Sequence, residues 1–151
     1  MQIDVLGPLE VRDAAGRPVA VTGTRLRTLL TRLALDAGRP VGVSVLVDAV
    51  WGAEPPVDEA NALQTLVSRL RRALGGPDTV AQSQAGYRLA VEPDAVDAVR
   101  FERLAADGAQ ALRAGDAREA AHVLANALGL WRGPALTDSV GEALIPFGPA
   151  R

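Results

Sequence analysis

The chain has 151 residues, 48% of them hydrophobic but only 3% aromatic, so it can form one medium domain or two small ones around leucine, valine and alanine. It contains no cysteine, which excludes disulfides and thiolate metal sites. The formal net charge of −2 gives no overall basic signal, and neither a signal peptide nor a long apolar run is visible, so we expect a cytoplasmic protein.

The N-terminal segment predicts an antiparallel sheet of three short strands, at residues 2–6, 9–12 and 18–21. Thr22-Gly-Thr24 then offers an N-cap for a first helix, which leucines at helical spacing continue until Gly38. A second, shorter helix follows, with Ser44 as its predicted cap and Gly52 as its end.

The third predicted helix, residues 58–75, is the most informative part of the chain. Asp58 is its predicted cap, and Gly75-Gly76-Pro77 ends it. Five apolar residues at helical spacing form one face, namely Leu63, Leu66, Val67, Leu70 and Leu74. The opposite face carries Asn61, Thr65, Ser68 and Arg72, with Gln64 and Arg71 flanking it on one side and Arg69 on the other. Such amide, hydroxyl and guanidinium groups can read base edges and hold phosphates.

A hairpin and a helical region complete the predicted order. Two β-prone runs, 79–83 and 87–91, flank Gln84-Ala-Gly86, and Glu92-Pro93-Asp94 marks a domain boundary. Helices at about 97–114 and 116–133 around Gly115-Asp116 are typical of one helical-hairpin repeat of roughly 34 residues. We therefore expect two domains, residues 1–93 and 94–151.

Local charge separates the two predicted domains. Residues 61–88 contain four arginines against Asp78 alone, whereas residues 94–151 contain eight acids and six arginines. The first region therefore suits a polyanion better than the second.

The order of elements matches a winged helix-turn-helix, and the residues resemble the DNA-binding and activation domains of the SARP family (antibiotic regulatory protein activators). The resemblance covers about residues 1–136. It is carried by VLGPLEVRD at 5–13, RLRTLLTRLALDAGRPV at 25–41, LVDAVWGAEPP at 46–56, NALQTLVSRLRRALG at 61–75, GYRLAV at 86–91, FERLAADGAQALRAGD at 101–116 and ALGLWRGPAL at 127–136.

The resemblance implies an α+β fold: a winged helix-turn-helix with an N-terminal antiparallel sheet and a C-terminal hairpin wing, then an all-α TPR-like region. It places helix 58–75 in the major groove, with contacts at Asn61, Ala62, Thr65, Arg69 and Arg71. Gln64, Ser68 and Arg72 come from the helical projection alone. Where the family's wing usually carries arginine this chain has Ser83, in SQAGY rather than RPPGY.

The resemblance also implies partners. The loop containing Trp51, Glu54 and Pro55 matches the one that relatives present to RNA polymerase. We expect a transcriptional activator that binds double-stranded promoter DNA as a homodimer or higher oligomer on direct repeats, with no membrane partner, cofactor or metal. The family's activation domain continues further than Arg151, and the apolar tail at Leu144, Ile145 and Phe147 has nothing to cover it. We therefore expect a part of a longer protein.

Two other functions stay open from the residues. The first is a winged-helix module that binds protein within a larger signalling protein, favoured by Ser83, the absence of lysine and the acidic balance. The second is a regulatory fragment of a larger ATPase. An enzyme is not expected, because His122 is the only histidine and no phosphate-binding G-x-x-x-x-G-K-[ST] loop occurs.

Overall fold

The N-terminal sheet has two strands rather than three. In this computed structural model, which describes residues 1–134, strand β1 (Gln2–Asp4) pairs antiparallel with strand β2 (Glu10–Arg12). The predicted third strand at 18–21 is wrong, since only a single bridge joins Pro18 to Arg12. Two hydrogen bonds form this bridge, from the Val19 N–H to the Val11 carbonyl at 2.8 Å and from the Asp13 N–H to the Arg17 carbonyl at 2.9 Å, and no paired strand continues from it.

Strand β1 is also shorter than predicted, because the next two backbone amides have another acceptor. The N–H groups of Val5 and Leu6 donate to the Asp97 carboxylate at 2.8 and 3.0 Å. Asp97 is 2% exposed and opens a helix far along the chain. A carboxylate thus takes the place of a neighbouring strand.

Three helices follow: α1 (Thr24–Leu35), α2 (Val43–Trp51) and α3 (Glu59–Leu74). The predicted cap segment of α1, Thr22-Gly-Thr24, contains the observed N-cap, although no side chain caps the helix, whereas the predicted Ser44 cap of α2 is wrong. Gly23, with φ 95°, is the N-cap of α1, so Thr24 lies inside the helix. Gly42 is the N-cap of α2, because the preceding Val41 is bonded to a strand and the helix begins directly afterwards, which places Ser44 in its first turn.

The wing hairpin, defined as strands β3 (Val80–Ser83) and β4 (Gly86–Leu89), confirms the predicted hairpin with bounds shifted by a residue or two. The hairpin is attached to the helices through Val41, whose N–H donates to the Tyr87 carbonyl at 2.7 Å and whose carbonyl accepts from the Tyr87 N–H at 3.0 Å. Tyr87 and Leu89 are buried. The hairpin therefore packs its apolar side on the same core as the helices.

Helices α4 (Asp97–Arg113) and α5 (Ala117–Leu128) form an antiparallel helical hairpin. Asp116 caps α5 as predicted, accepting from the Glu119 N–H at 3.0 Å. The two helices approach closely at Gly108, where an added Cβ would lie 2.5 Å from the Leu124 side chain. A TPR-like stack would need further helices, and so stays a prediction.

Helix α5 ends five residues earlier than the predicted stop at 133. The segment after it turns back instead: the Trp131 ring meets Phe101 edge-on at 5.4 Å, and the Arg132 N–H donates to the Leu6 carbonyl at 2.8 Å. These contacts join residues far apart in sequence, so helical periodicity could not predict them. Residues 135–151, including the apolar tail and the last residues of the resemblance, lie outside the described part of the chain.

Arg132 holds the helical hairpin on the N-terminal sheet through contacts with Pro8 and Glu10. The guanidinium donates to the Pro8 carbonyl at 2.7 Å and pairs with the Glu10 carboxylate at 3.3 Å. Together with Asp97, it joins the two regions that we predict as separate domains. Within residues 1–134, no helix is both long enough and apolar enough to cross a membrane.

Candidate nucleic-acid interface

Helix α3 has the apolar face that the sequence predicts. The same five residues are buried: Leu63, Leu66, Val67, Leu70 and Leu74. Asp58 caps the helix by accepting the Asn61 N–H at 3.1 Å, and Gly75 ends it in the left-handed conformation with φ 103°. Full burial of a leucine side chain contributes about 1.5–3 kcal/mol, so this face anchors the helix firmly. The orientation of the opposite face is therefore fixed.

The outward face of α3 carries six exposed polar residues. They are Asn61, Gln64, Thr65, Ser68, Arg69 and Arg72. The Thr65 hydroxyl donates to the Asn61 carbonyl at 3.0 Å, which leaves its oxygen able to accept from a ligand. We call these six residues the polar face. It offers amides, hydroxyls and guanidinium groups within one helix length.

The three arginines of α3 are not equivalent. Arg69 and Arg72 are exposed and, within residues 1–134, have no ion pair or side-chain hydrogen bond. Arg71 is half-buried, and its Nε donates to the Val80 carbonyl of the wing hairpin at 2.9 Å. The sequence resemblance gave both Arg71 and Arg69 as DNA contacts, and the internal partner of Arg71 was not predicted.

The wing hairpin lies beside the C-terminal end of α3. Its tip residue Ser83 is exposed, and its hydroxyl accepts from the Ala85 N–H at 3.2 Å. Gly86 sits directly against the backbone of Val41. The tip therefore presents a short hydroxyl at the position where the sequence resemblance led us to expect an arginine.

The predicted polymerase-facing loop is divided by the structure. Trp51 is the last residue of α2, half-buried against the core, with the Arg25 guanidinium 5.8 Å from its ring centre. Glu54 and Pro55 lie in the following loop and are exposed, as is Val57. Trp51 therefore lies on a helix and against the core, and only Glu54 and Pro55 of the three lie on the loop itself.

Sequence reasoning missed Asp97 and Arg132, the residues that join the two regions. Each contacts backbone groups of the segment between strands β1 and β2, more than 90 residues away, and a lone carboxylate or guanidinium gives no local signal of such a partner. The only local feature that marks out Asp97 is its place at the start of a helix, just after a predicted domain boundary. Among the described residues, no three His, Cys, Asp or Glu side chains are gathered to hold a metal.

Helices α1 to α3, the wing hairpin and the outward polar face together define a winged-helix protein with a helical extension. Comparison with known families agrees. Residues 16–89 match the family described as "Transcriptional regulatory protein, C terminal", and residues 96–147 match "Bacterial transcriptional activator domain". The chain belongs to the SARP family of transcriptional activators, as its sequence resemblance predicted.

Curated relatives have the same pairing of regions over most of this chain. It is 39% identical over 148 residues to the transcriptional regulator RedD of Streptomyces coelicolor, covering 92% of this chain and 41% of RedD. It is 40% identical over 148 residues to the regulatory protein DnrI of Streptomyces peucetius, covering 91% of this chain and 54% of DnrI. The chain thus spans about half the length of these relatives.

A solved structure supports the fold directly. Mycobacterium tuberculosis EmbR, determined in complex with a low-affinity phosphopeptide, superposes with a TM-score of 0.79 and 34% sequence identity. The match covers 91% of this chain and 37% of EmbR. The likeness therefore includes both the winged helix and the helical hairpin α4–α5.

Proposed function

We propose that this chain is the sequence-specific DNA-binding part of a transcriptional activator, with α3 in the major groove. The observation that carries the proposal is the polar face: six exposed polar side chains on a helix whose other side is fixed in the core. A helix of this size fits the major groove, and its side chains then reach base edges.

Each part of the polar face has a distinct role in this proposal. The amides of Asn61 and Gln64 suit adenine, which presents one acceptor and one donor in the major groove. Arg69 suits guanine or a phosphate, and Arg72 suits a phosphate. The hydroxyls of Thr65 and Ser68 bond to either. The internal bond of Arg71 leaves its terminal nitrogens as a candidate phosphate contact.

With α3 in the major groove, neighbouring protomers and RNA polymerase would meet other surfaces of the chain. Two or more protomers would occupy direct repeats about one helical turn apart, ~10–11 bp, and so lie on one side of the duplex. The acidic helical region would face away from the phosphates, toward the winged helix or a neighbouring protomer. The exposed loop with Glu54 and Pro55, which follows Trp51 at the end of α2, would face RNA polymerase.

Replacing Arg69 tests base reading. On a duplex enriched from a random pool by the wild-type chain, we expect Arg69→Ala to lose about 1–3 kcal/mol of binding free energy, or roughly 5- to 150-fold in affinity, if the contact is bidentate. The loss should be much smaller on an unrelated duplex. Gel shifts at several salt concentrations measure both. Arg118→Ala, an equal change of charge at an exposed position on α5, is the control and should bind as wild type.

Replacing Arg72 tests phosphate contact. A protein that neutralises one phosphate fewer releases fewer counterions, so Arg72→Ala should reduce the slope of log affinity against log salt by about 0.9 without changing the preferred sequence. A slope and affinity unchanged in both Arg69→Ala and Arg72→Ala would remove α3 from the interface. Absence of wild-type binding at both 50 and 200 mM salt would favour the protein-binding module instead.

A further inference from the structure

Arg71 joins two parts of the molecule that the proposed function requires to act together. It lies in the last turn of α3 and is half-buried, unlike Arg69 and Arg72 on the same helix. Its Nε donates to the Val80 carbonyl at 2.9 Å, and Val80 is the first residue of the wing hairpin. Only the inner nitrogen of the guanidinium is used in this bond.

The Val80 carbonyl has no partner within the hairpin. The Ala90 N–H donates to the Thr79 carbonyl at 2.9 Å, so the carbonyl of Thr79 faces strand β4. Successive carbonyls of a strand point to opposite edges, so the carbonyl of Val80 points away from β4 and toward α3. Arg71 satisfies an edge acceptor that β4 cannot reach.

The two strands of the wing hairpin are held by different contacts. Strand β4 is fixed by the paired backbone hydrogen bonds between Val41 and Tyr87. Strand β3 follows α3 directly, through a connection in which the Gly76 N–H donates to the Arg71 carbonyl at 2.9 Å. At the start of β3, the buried Val80 side chain packs in the core and the Val80 carbonyl accepts the Arg71 hydrogen bond, which gives β3 a directional contact with α3.

We propose that Arg71 is a positioning residue that fixes the wing hairpin against helix α3, so that the polar face and Ser83 meet one duplex together. The effect of Arg71 on DNA binding rests on the proposed function, whereas its effect on the position of the wing hairpin does not. The proposal separates Arg71 from Arg69 and Arg72, whose guanidinium groups face outward.

Two substitutions of Arg71 separate the effect of its hydrogen bond from the effect of its charge. In Arg71→Gln, the side-chain nitrogen occupies the same place along the side chain as Nε and can still donate, but the charge is gone. In Arg71→Lys the charge remains, but a methylene stands where Nε was. A positioning role predicts a native wing in the Gln variant and a displaced wing in the Lys variant.

The test measures the distance between α3 and the wing tip without DNA. The chain has no cysteine, so Ser68→Cys and Ser83→Cys give two unique sites for nitroxide labels, and pulsed electron spin resonance gives the distance distribution. We expect a distribution in Arg71→Lys about twofold broader than in the wild-type and Arg71→Gln proteins. Arg72→Lys is the control and should match wild type.

A Lys variant with the wild-type distribution would overturn the proposal, as would a Gln variant as broad as the Lys variant. On DNA, the unlabelled Arg71→Lys chain should lose hydroxyl-radical protection next to the wing while keeping protection by α3. If the wild-type chain protected no part of the duplex, DNA binding would be refuted. The distance between α3 and the wing tip, measured without DNA, would still decide the role of Arg71.

Discussion

Gly86→Ala is expected to destabilise the chain by about 3–5 kcal/mol, because it combines backbone strain with the loss of buried hydrogen bonds. Gly86 has φ 127°, and an added Cβ would lie 1.9 Å from the Val41 carbonyl oxygen. That oxygen accepts the Tyr87 N–H, so the side chain could be admitted only by separating the wing hairpin from the segment before α2. Urea denaturation would measure the loss.

Gly16→Ala is the matched control. Gly16 also has a positive φ, 80°, but an added Cβ would have no atom within 4 Å, so the substitution adds strain of about 1 kcal/mol without a collision. Equal stability of the two variants would show that the close approach of Gly86 to Val41 does not exist in solution.

Asp97→Ala is expected to cost about 2–5 kcal/mol. It removes the acceptor of two buried backbone N–H groups, and an unsatisfied buried donor costs roughly 1–3 kcal/mol. The loss should be accompanied by release of α4 from the N-terminal sheet, detected as faster amide hydrogen exchange at Val5 and Leu6. Asp107→Ala, on the exposed side of the same helix, should change stability by less than about 0.5 kcal/mol.

The pH dependence of Asp97 gives an independent check. Burial raises the pKa of its carboxyl above the usual 3.8, and hydrogen bonds from Val5 and Leu6 partly oppose that rise. The folded state thus holds this proton more tightly than the unfolded chain, so the contribution of the group to stability falls as pH rises from 3.8 through the raised pKa. The stability difference between wild type and Asp97→Ala should therefore narrow from acid to neutral pH. A widening difference would contradict the buried environment assigned to Asp97.

Local pattern was sufficient to predict helix α3. Its five buried residues follow from helical periodicity, and its ends follow from Asp58 and Gly75, whose partners lie within four residues. Capping and amphipathic spacing are short-range effects, so one stretch of sequence contains all the information needed. The polar face could be predicted for the same reason, since it consists of the residues of α3 on the side opposite the five buried ones.

Prediction failed wherever a distant residue supplied the deciding contact. Strand β1 stops at Asp4 because Asp97 takes the next two amides, and α5 stops at Leu128 because Trp131 and Arg132 turn back to other elements. The role of Arg71 was missed because its acceptor belongs to the wing hairpin rather than to its own helix. The Ser44 cap was wrong for a related reason, because Val41 is bonded to Tyr87 of the wing hairpin and α2 begins directly after it, at Gly42.

Selection of bound sequences from a random duplex pool is the decisive experiment on whether the outward side chains of α3 read base pairs. The wild-type chain should enrich one motif, arranged as direct repeats. A chain carrying Asn61→Ala, Gln64→Ala and Arg69→Ala together should keep its fold by circular dichroism but enrich no motif. Enrichment of the same motif by both chains, or of none by the wild type, would show that these side chains do not read base pairs.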